Sequence, residues 1–259
     1  MLRTPRALLL DFGGVLADAP SPPPDPPELV QRLFRLVDGA VPAEQIARDL
    51  TAGAHAYGRW RDEESAGEHP VELGHRQVWA RFVTGGWPAP ARAAVDREAT
   101  PLAYAWTWHP EWDVRPGIPA ALAAATRAGL PLAVVSNTTC GAAPRDFLAA
   151  AGLGPLVTAQ LYSDEAGVRK PNPELARLAA RALGVPVADC WFVGDSRHRD
   201  VACARRAGAG AAVLMRSPRT DREEPLPELA PDAVVEDGHG LLALLRACEV
   251  TERPDDRPR

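Results

Sequence analysis

Six short apolar runs, each closed by turn-forming residues, recur along the chain at Ala7 to Leu10, Leu132 to Val135, Val157 to Tyr162, Trp191 to Val193, Ala211 to Met215 and Ala233 to Val235. Runs of this length without polar alternation fit strands buried on both faces. Helical periodicity fills the stretches around them, at Ile118 to Ala128, Pro144 to Ala151, Pro173 to Leu183, Asp200 to Ala207 and Leu241 to Cys248. Strand and helix in alternation predict an α/β fold: a three-layer, Rossmann-like parallel sheet with helices on both faces.

The first two strands are more than a hundred residues apart. The intervening stretch opens with Ser21-Pro22-Pro23-Pro24-Asp25-Pro26-Pro27 and then favours helices, near Pro27 to Val37, Ala43 to Tyr57, Val71 to Val83 and Ala89 to Tyr104, with a turn at Gly85-Gly86-Trp87-Pro88. A stretch so long with helices of its own is an inserted all-helical domain and not a loop. The expected division is a core of residues 1–18 and 113–251, an insert of 19–112, and a disordered tail at 252–259. Trp106, Trp108 and Trp112 cluster where the insert rejoins the core and predict hinge or interface packing.

Composition removes several function classes. A net charge of -5 gives no electrostatic reason to bind nucleic acid, and no apolar run reaches the roughly 18 residues of a membrane span. The N-terminal run imitates a signal peptide, but Asp11 and Gly13-Gly14 interrupt it, which favours a buried strand. Cys140, Cys190, Cys203 and Cys248 form no C-x-x-C pair, so reduced thiols in a cytoplasm are expected. A small-molecule partner remains, and oligomeric state is left open.

Polar residues gather at the ends of the predicted strands, the edge where open α/β sheets bind ligands. Asp11 closes the first strand, and Gly13-Gly14 behind it let backbone approach a bound group. Ser136-Asn137 closes the second, with a hydroxyl where a phosphate could sit, although a serine there also suits a turn. Lys170 follows the third and is the one lysine among 29 basic residues, a compact charge able to neutralise both a nucleophile and a phosphate. The strand Trp191-Phe192-Val193 runs through Gly194 into Asp195 and Asp200, oxygen donors of the kind Mg²⁺ requires, which also suit a helix start.

In that order these four elements resemble the haloacid dehalogenase superfamily, with an insert similar to the helical cap of its first cap class. The resemblance implies that Asp11 attacks phosphorus to form an aspartyl-phosphate, which water hydrolyses. It implies Mg²⁺ held by Asp11, Asp195 and the Gly13 carbonyl, with Asp200 in support. Ser136 and Lys170 would take phosphoryl charge, and Gly13, Gly14 and Asn137 would complete the substrate cradle. The predicted activity is Mg²⁺-dependent hydrolysis of a small phosphorylated metabolite, with the core doing the chemistry and the cap closing over it.

Most phosphatases of the superfamily carry an acid-base aspartate two residues after the nucleophile, where this chain has Gly13. The substitution predicts a good leaving group, such as an anomeric sugar phosphate, an enol phosphate or an acyl phosphate, or a proton supplied by the cap or water. A catalytically weak binding protein is the alternative, and a metal-free dehalogenase a lesser one. Residues 19–112 contain no lysine, against phosphonate cleavage through an imine, and Gly13 disfavours a phosphomutase. His55, Tyr57, Arg59, Trp60, Arg61, His75 and Arg76 are the insert residues expected to contact a leaving group, though any one of them also suits an ordinary helix face.

Overall fold

The computed structural model describes residues 2–19 and 25–252. The strands in chain order are β1 (Ala7–Leu10), β2 (Ala17–Asp18), β3 (Asp113–Val114), β4 (Leu132–Ser136), β5 (Ala159–Tyr162), β6 (Cys190–Gly194), β7 (Ala211–Met215) and β8 (Ala233–Val235). Six of them form one sheet in the order β5-β4-β1-β6-β7-β8, and every neighbouring pair is parallel. Residues of β1 alternate between two apolar layers. Leu8 and Leu10 pack with α6 (Ile118–Arg127), α7 (Ala142–Ala150) and α11 (Gly238–Glu252). Ala7 and Leu9 pack with α9 (Pro173–Ala182) and α10 (Ala202–Ala207) on the other face. Both faces are covered, which is why the strands read as unbroken apolar runs.

β1 lies between β4 and β6, with Leu10 in register with Val134 and Val193. The chain passes from one side of β1 to the other between β5 and β6, so a crevice opens at the carboxyl end of β1. Asp11, Ser136 and Asp195 sit around that crevice.

Residues 27–107 form α1 (Pro27–Leu36), α2 (Ala43–Glu64), α3 (His75–Phe82), α4 (Ala89–Arg97) and α5 (Ala99–Thr107), gathered around an apolar cluster of their own that includes Leu33, Ile46, Leu50, Trp79 and Leu102. The helix expected at Ala89 to Tyr104 is two helices, α4 and α5, meeting at Glu98. Pro101 explains the break: it has no N–H for a continuous helix and sits comfortably only in a first turn, where α5 places it. α2 runs seven residues past Tyr57, because Arg59 and Arg61 to Glu64 interrupt the apolar pattern while Arg59, Arg61, Glu63 and Glu64 remain good helix formers. The stretch from Val71, expected to be helical, is extended; Val71 bridges Val168 of the core, and α3 begins at His75.

The insert leaves and rejoins the core through the antiparallel pair β2 and β3. Arg115, just beyond, donates to the carbonyls of Gly14, Arg216 and Glu236 and pairs with Asp18. Trp112 packs edge-on against Phe12 and Phe147, while Trp106 packs on Trp79 and Trp108 on Tyr104. α11 continues through Glu252, one residue into the expected disordered tail; residues 253–259 lie outside the described residues, as do 20–24 of the proline-rich opening. Among the described residues no helix is long and apolar enough to cross a membrane.

Candidate active site

Asp11 is buried at the end of β1, and both of its contacts fall on Oδ1: the Phe12 N–H donates to it at 2.8 Å, and Lys170 Nζ lies 2.7 Å away. Oδ2 is left as the freer oxygen. Lys170 is fully enclosed, with Nζ also 2.7 Å from Asp200 Oδ1 and donating to the Val135 carbonyl at 2.9 Å. Burial alone would lower the lysine pKa, but Asp11 and Asp200 outweigh it and raise it, so the ammonium stays charged.

Asn137 clamps Lys170 from below. Its Nδ2 donates to the Lys170 carbonyl at 2.9 Å, and its Oδ1 accepts the Lys170 N–H at 2.8 Å. Both ends of the amide thus hold the lysine backbone. The same segment runs into α9, whose first turn is capped by Asn172 accepting from the Glu174 N–H.

Asp200 braces the turn after β6, its Oδ2 accepting the N–H groups of Asp195 and Ser196, both at 3.0 Å. With Oδ1 on Lys170, both Asp200 oxygens are engaged. Asp195 is different: Oδ2 accepts from Ser217 Oγ at 2.7 Å, while Oδ1 is buried with no hydrogen-bond partner. Thr220 Oγ1 holds the Asp195 carbonyl at 2.5 Å. Burial, reinforced by the Asp11 charge, pushes the carboxyls of Asp195 and Asp200 above the ordinary range.

Two glycines admit these acids. A Cβ on Gly14 would overlap the Asp195 carboxylate, and Gly14 has a left-handed φ of +77°. A Cβ on Gly194 would overlap the side chain of Asp200. A Cβ on Gly13 would meet nothing within 4 Å, so that position faces open space.

Asp11, Asp195 and Asp200 bring carboxylate oxygens within 4.8 Å of one another. Three carboxylates face one lysine, and one of their oxygens is buried without a partner. The donors are hard oxygens, and the set fits a divalent cation such as Mg²⁺. Above them a cavity of about 70 Å³ is floored by Asp11, Gly13, Ser136, Asn137 and Lys170. Three arginines also line it: Arg61 from α2, Arg199 from the turn after β6, and Arg219 from the loop after β7.

A model of the haloacid dehalogenase-like hydrolase family matches residues 5–208. The chain belongs to that family. A phosphoserine phosphatase of Thermus thermophilus is 34% identical over 178 residues, 61% of this chain and 71% of the relative. A glyceraldehyde 3-phosphate phosphatase of Methanopyrus kandleri is 35% identical over 86 residues, 33% of this chain and only 37% of the relative's length. Among solved structures, CbbY from Rhodobacter sphaeroides in complex with phosphate is similar with a TM-score of 0.58 and 26% identity, covering 93% of this chain and 99% of that one.

In this haloacid dehalogenase-like hydrolase the sequence-predicted residues Asp11, Gly13, Ser136, Asn137, Lys170 and Asp200 all line one cavity, and Asp195 stands behind Gly14. Of the seven insert residues, Arg61 lines that cavity. His55, Arg59 and Arg76 are exposed, Tyr57 and Trp60 are buried against each other and Phe82, and His75 turns to Asp164 of the core. Arg199, Arg219, Ser217 and Thr220 were not anticipated. Arg199 lies between the two acids after β6, and the other three follow the end of β7, so the strand-end rule that found Asp195 also reaches them.

Proposed function

We propose that the protein is a Mg²⁺-dependent phosphohydrolase acting on a small phosphorylated metabolite through an aspartyl-phosphate on Asp11. The observation that carries this reading is the pairing of Asp11 with the one lysine beside a carboxylate, Asp195, whose buried Oδ1 has no partner. A metal-free dehalogenase has no evident use for the acidic trio. The phosphatase relatives support the same choice.

Asp11 Oδ2 attacks phosphorus, forming the Asp11–phosphorus bond as the bond to the leaving oxygen breaks. Water then attacks phosphorus, releasing inorganic phosphate and restoring the carboxylate. Lys170 holds Asp11 and offers positive charge to the phosphoryl oxygens, with Ser136 as a further donor; in phosphoryl transfer such charge stabilisation is most of the catalytic task. Asn137 positions Lys170. Asp11, Asp195 and the Gly13 carbonyl would hold Mg²⁺, with Asp200 bracing them, and the ion would neutralise charge between nucleophile and phosphate.

Residues 19–112 serve as a cap over the core of residues 1–18 and 113–251. Arg61 supports this, since it brings a cap charge to the cavity above Asp11. A larger cavity of about 480 Å³ lies outside, sharing Arg61, Arg199 and Arg219 with the inner one and adding Arg222. It would receive the leaving group; Asp62 and Glu223 line it beside the four arginines, and the remaining excess of positive charge favours a group that carries negative charge. With Gly13 at the acid position, that group must leave with little protonic help. A Mg²⁺-containing panel of phosphometabolites, including sugar 1-phosphates and sugar 6-phosphates, tests the reading. Phosphate release that disappears in Asp11→Asn supports it, and tight binding of a metabolite without turnover would replace it with a ligand-binding role.

A further inference from the structure

Between the insert and the core lies a second cluster of metal-ligating side chains, separate from the Asp11 cavity. His75 opens α3, Cys140 follows β4, and Asp164 lies in α8 (Ser163–Ala166) just after β5; one ligand atom from each falls within 4.8 Å of the others. The His75 ring is held at both nitrogens, with Nδ1 2.9 Å from Thr100 Oγ1 and Nε2 3.2 Å from Asp164 Oδ2. The Asp164 side chain is 3% exposed. Its Oδ2 also accepts the Gly141 N–H at 3.0 Å, while its Oδ1 is buried without a hydrogen-bond partner. Cys140 is buried as well.

The chemistry of this set differs from that of the acidic trio. Nδ1–H donating to the threonine hydroxyl leaves Nε2 as an acceptor pointed at a carboxylate and a thiol. Acceptors cannot face each other bare in a buried place, so either a proton or a cation sits among them.

We propose that His75 Nε2, Cys140 Sγ and Asp164 form a site for a thiophilic divalent cation, Zn²⁺ by its liking for mixed nitrogen, sulfur and oxygen ligands, and that the ion staples α3 of the insert to the core. The unpartnered Asp164 Oδ1 supplies a second carboxylate oxygen, and a water completes the shell. Zinc bonds of about 2.0–2.3 Å put tetrahedral ligands roughly 3.5 Å apart, so from separations within 4.8 Å loading closes the cluster by no more than about 1.3 Å. Without metal the place belongs to a proton: hydrogen bonding to Asp164, then to Cys140, holds the His75 pKa up to about 9. Metal entry sends the Nε2 proton and the Cys140 thiol proton to solvent. The His75 side chain is 19% exposed, which gives the ion a path in. The acidic trio offers only hard oxygens, so softness separates the two sites.

The site stands independently of the phosphatase reading, and its test does not use turnover. Cobalt(II), a spectroscopic substitute for zinc, is titrated into the full-length protein in excess Mg²⁺. A thiolate-to-cobalt charge-transfer band is expected, saturating at one equivalent, displaced by Zn²⁺, retained in Asp11→Asn and lost in Cys140→Ser. His75→Ala, altered at the outer end of the cluster, should weaken cobalt binding by about tenfold or more. No thiolate band in the wild type, a band that survives Cys140→Ser, or affinity unchanged in His75→Ala would each overturn the proposal. Should Cys140→Ser fail to fold, the His75→Ala titration decides alone.

Discussion

A carboxylate at position 13 would stand beside Asp11 in open space, since a Cβ there meets no atom within 4 Å. The missing acid is therefore not excluded by packing. General acid catalysis contributes roughly 10²–10⁴-fold, so Gly13→Asp is expected to raise turnover of simple alkyl phosphates by up to about 10²-fold while changing that of sugar 1-phosphates little. Steady-state rates across leaving groups of graded pKa check this, and a flat dependence in the wild type would sink the argument from Gly13. Ser217 offers a second test at this scale. Its hydroxyl orients Asp195 without reaching the cavity floor, and loss of such a partner typically costs 10–100-fold in metal affinity. Ser217→Ala should raise the Mg²⁺ concentration giving half-maximal activity by about that factor, with the rate at saturating Mg²⁺ nearly restored. Asp11, Lys170, Asp195 and Asp200 were legible as residues because each closes or follows a buried strand. The orphaned Oδ1 of Asp195 and the double engagement of Asp200 were not, because they depend on groups that only the fold brings together: Lys170 beyond β5, the N–H groups of the turn after β6, and Ser217 beyond β7.

At the scale of elements, the insert is tied to the core by the strap from Pro70 to Leu73. Glu72 N–H donates to the Gly167 carbonyl, Arg169 N–H to that of Pro70, and the buried Glu72 and Arg169 side chains meet at 3.5 Å. Arg169 also lies over the Trp60 ring at 5.0 Å, and Ser163 Oγ donates to Glu72 Oε2 at 2.7 Å. Burial pushes the Glu72 carboxyl pKa upward against the pull of Arg169. Breaking a buried pair from one side strands the other charge, at a cost of about 3–5 kcal/mol. Arg169→Met should therefore lower unfolding stability in urea by about that amount, and adding Glu72→Leu should recover most of it. Full additivity of the two losses would contradict the coupling. Periodicity could not reveal this strap. Val71 to Leu73 resemble the start of a helix, and it is the pairing of Val71 with Val168, together with the backbone bonds on either side of it, that makes them extended.

For the whole molecule, the parallel sheet was legible because strands buried on both faces leave unmistakable apolar runs: β1 and β7 begin and end at the expected residues, and so does the edge strand β8, apolar although its Val234 is exposed. Strand order was not, since nothing local says that β1 lies between β4 and β6. That arrangement is what assembles the site, placing the ends of β1, β4 and β6 around one crevice while the helical insert sets Arg61 above it. The proposed hydrolysis requires that Asp11 become phosphorylated. Rapid acid quench during turnover in Mg²⁺, followed by peptide mass spectrometry, tests this most directly. The expected result is phosphate covalently bound to the peptide containing Asp11, absent without Mg²⁺ and absent in Asp11→Asn. Phosphate release with no phosphorylated Asp11, continuing in Asp11→Asn, would contradict the account.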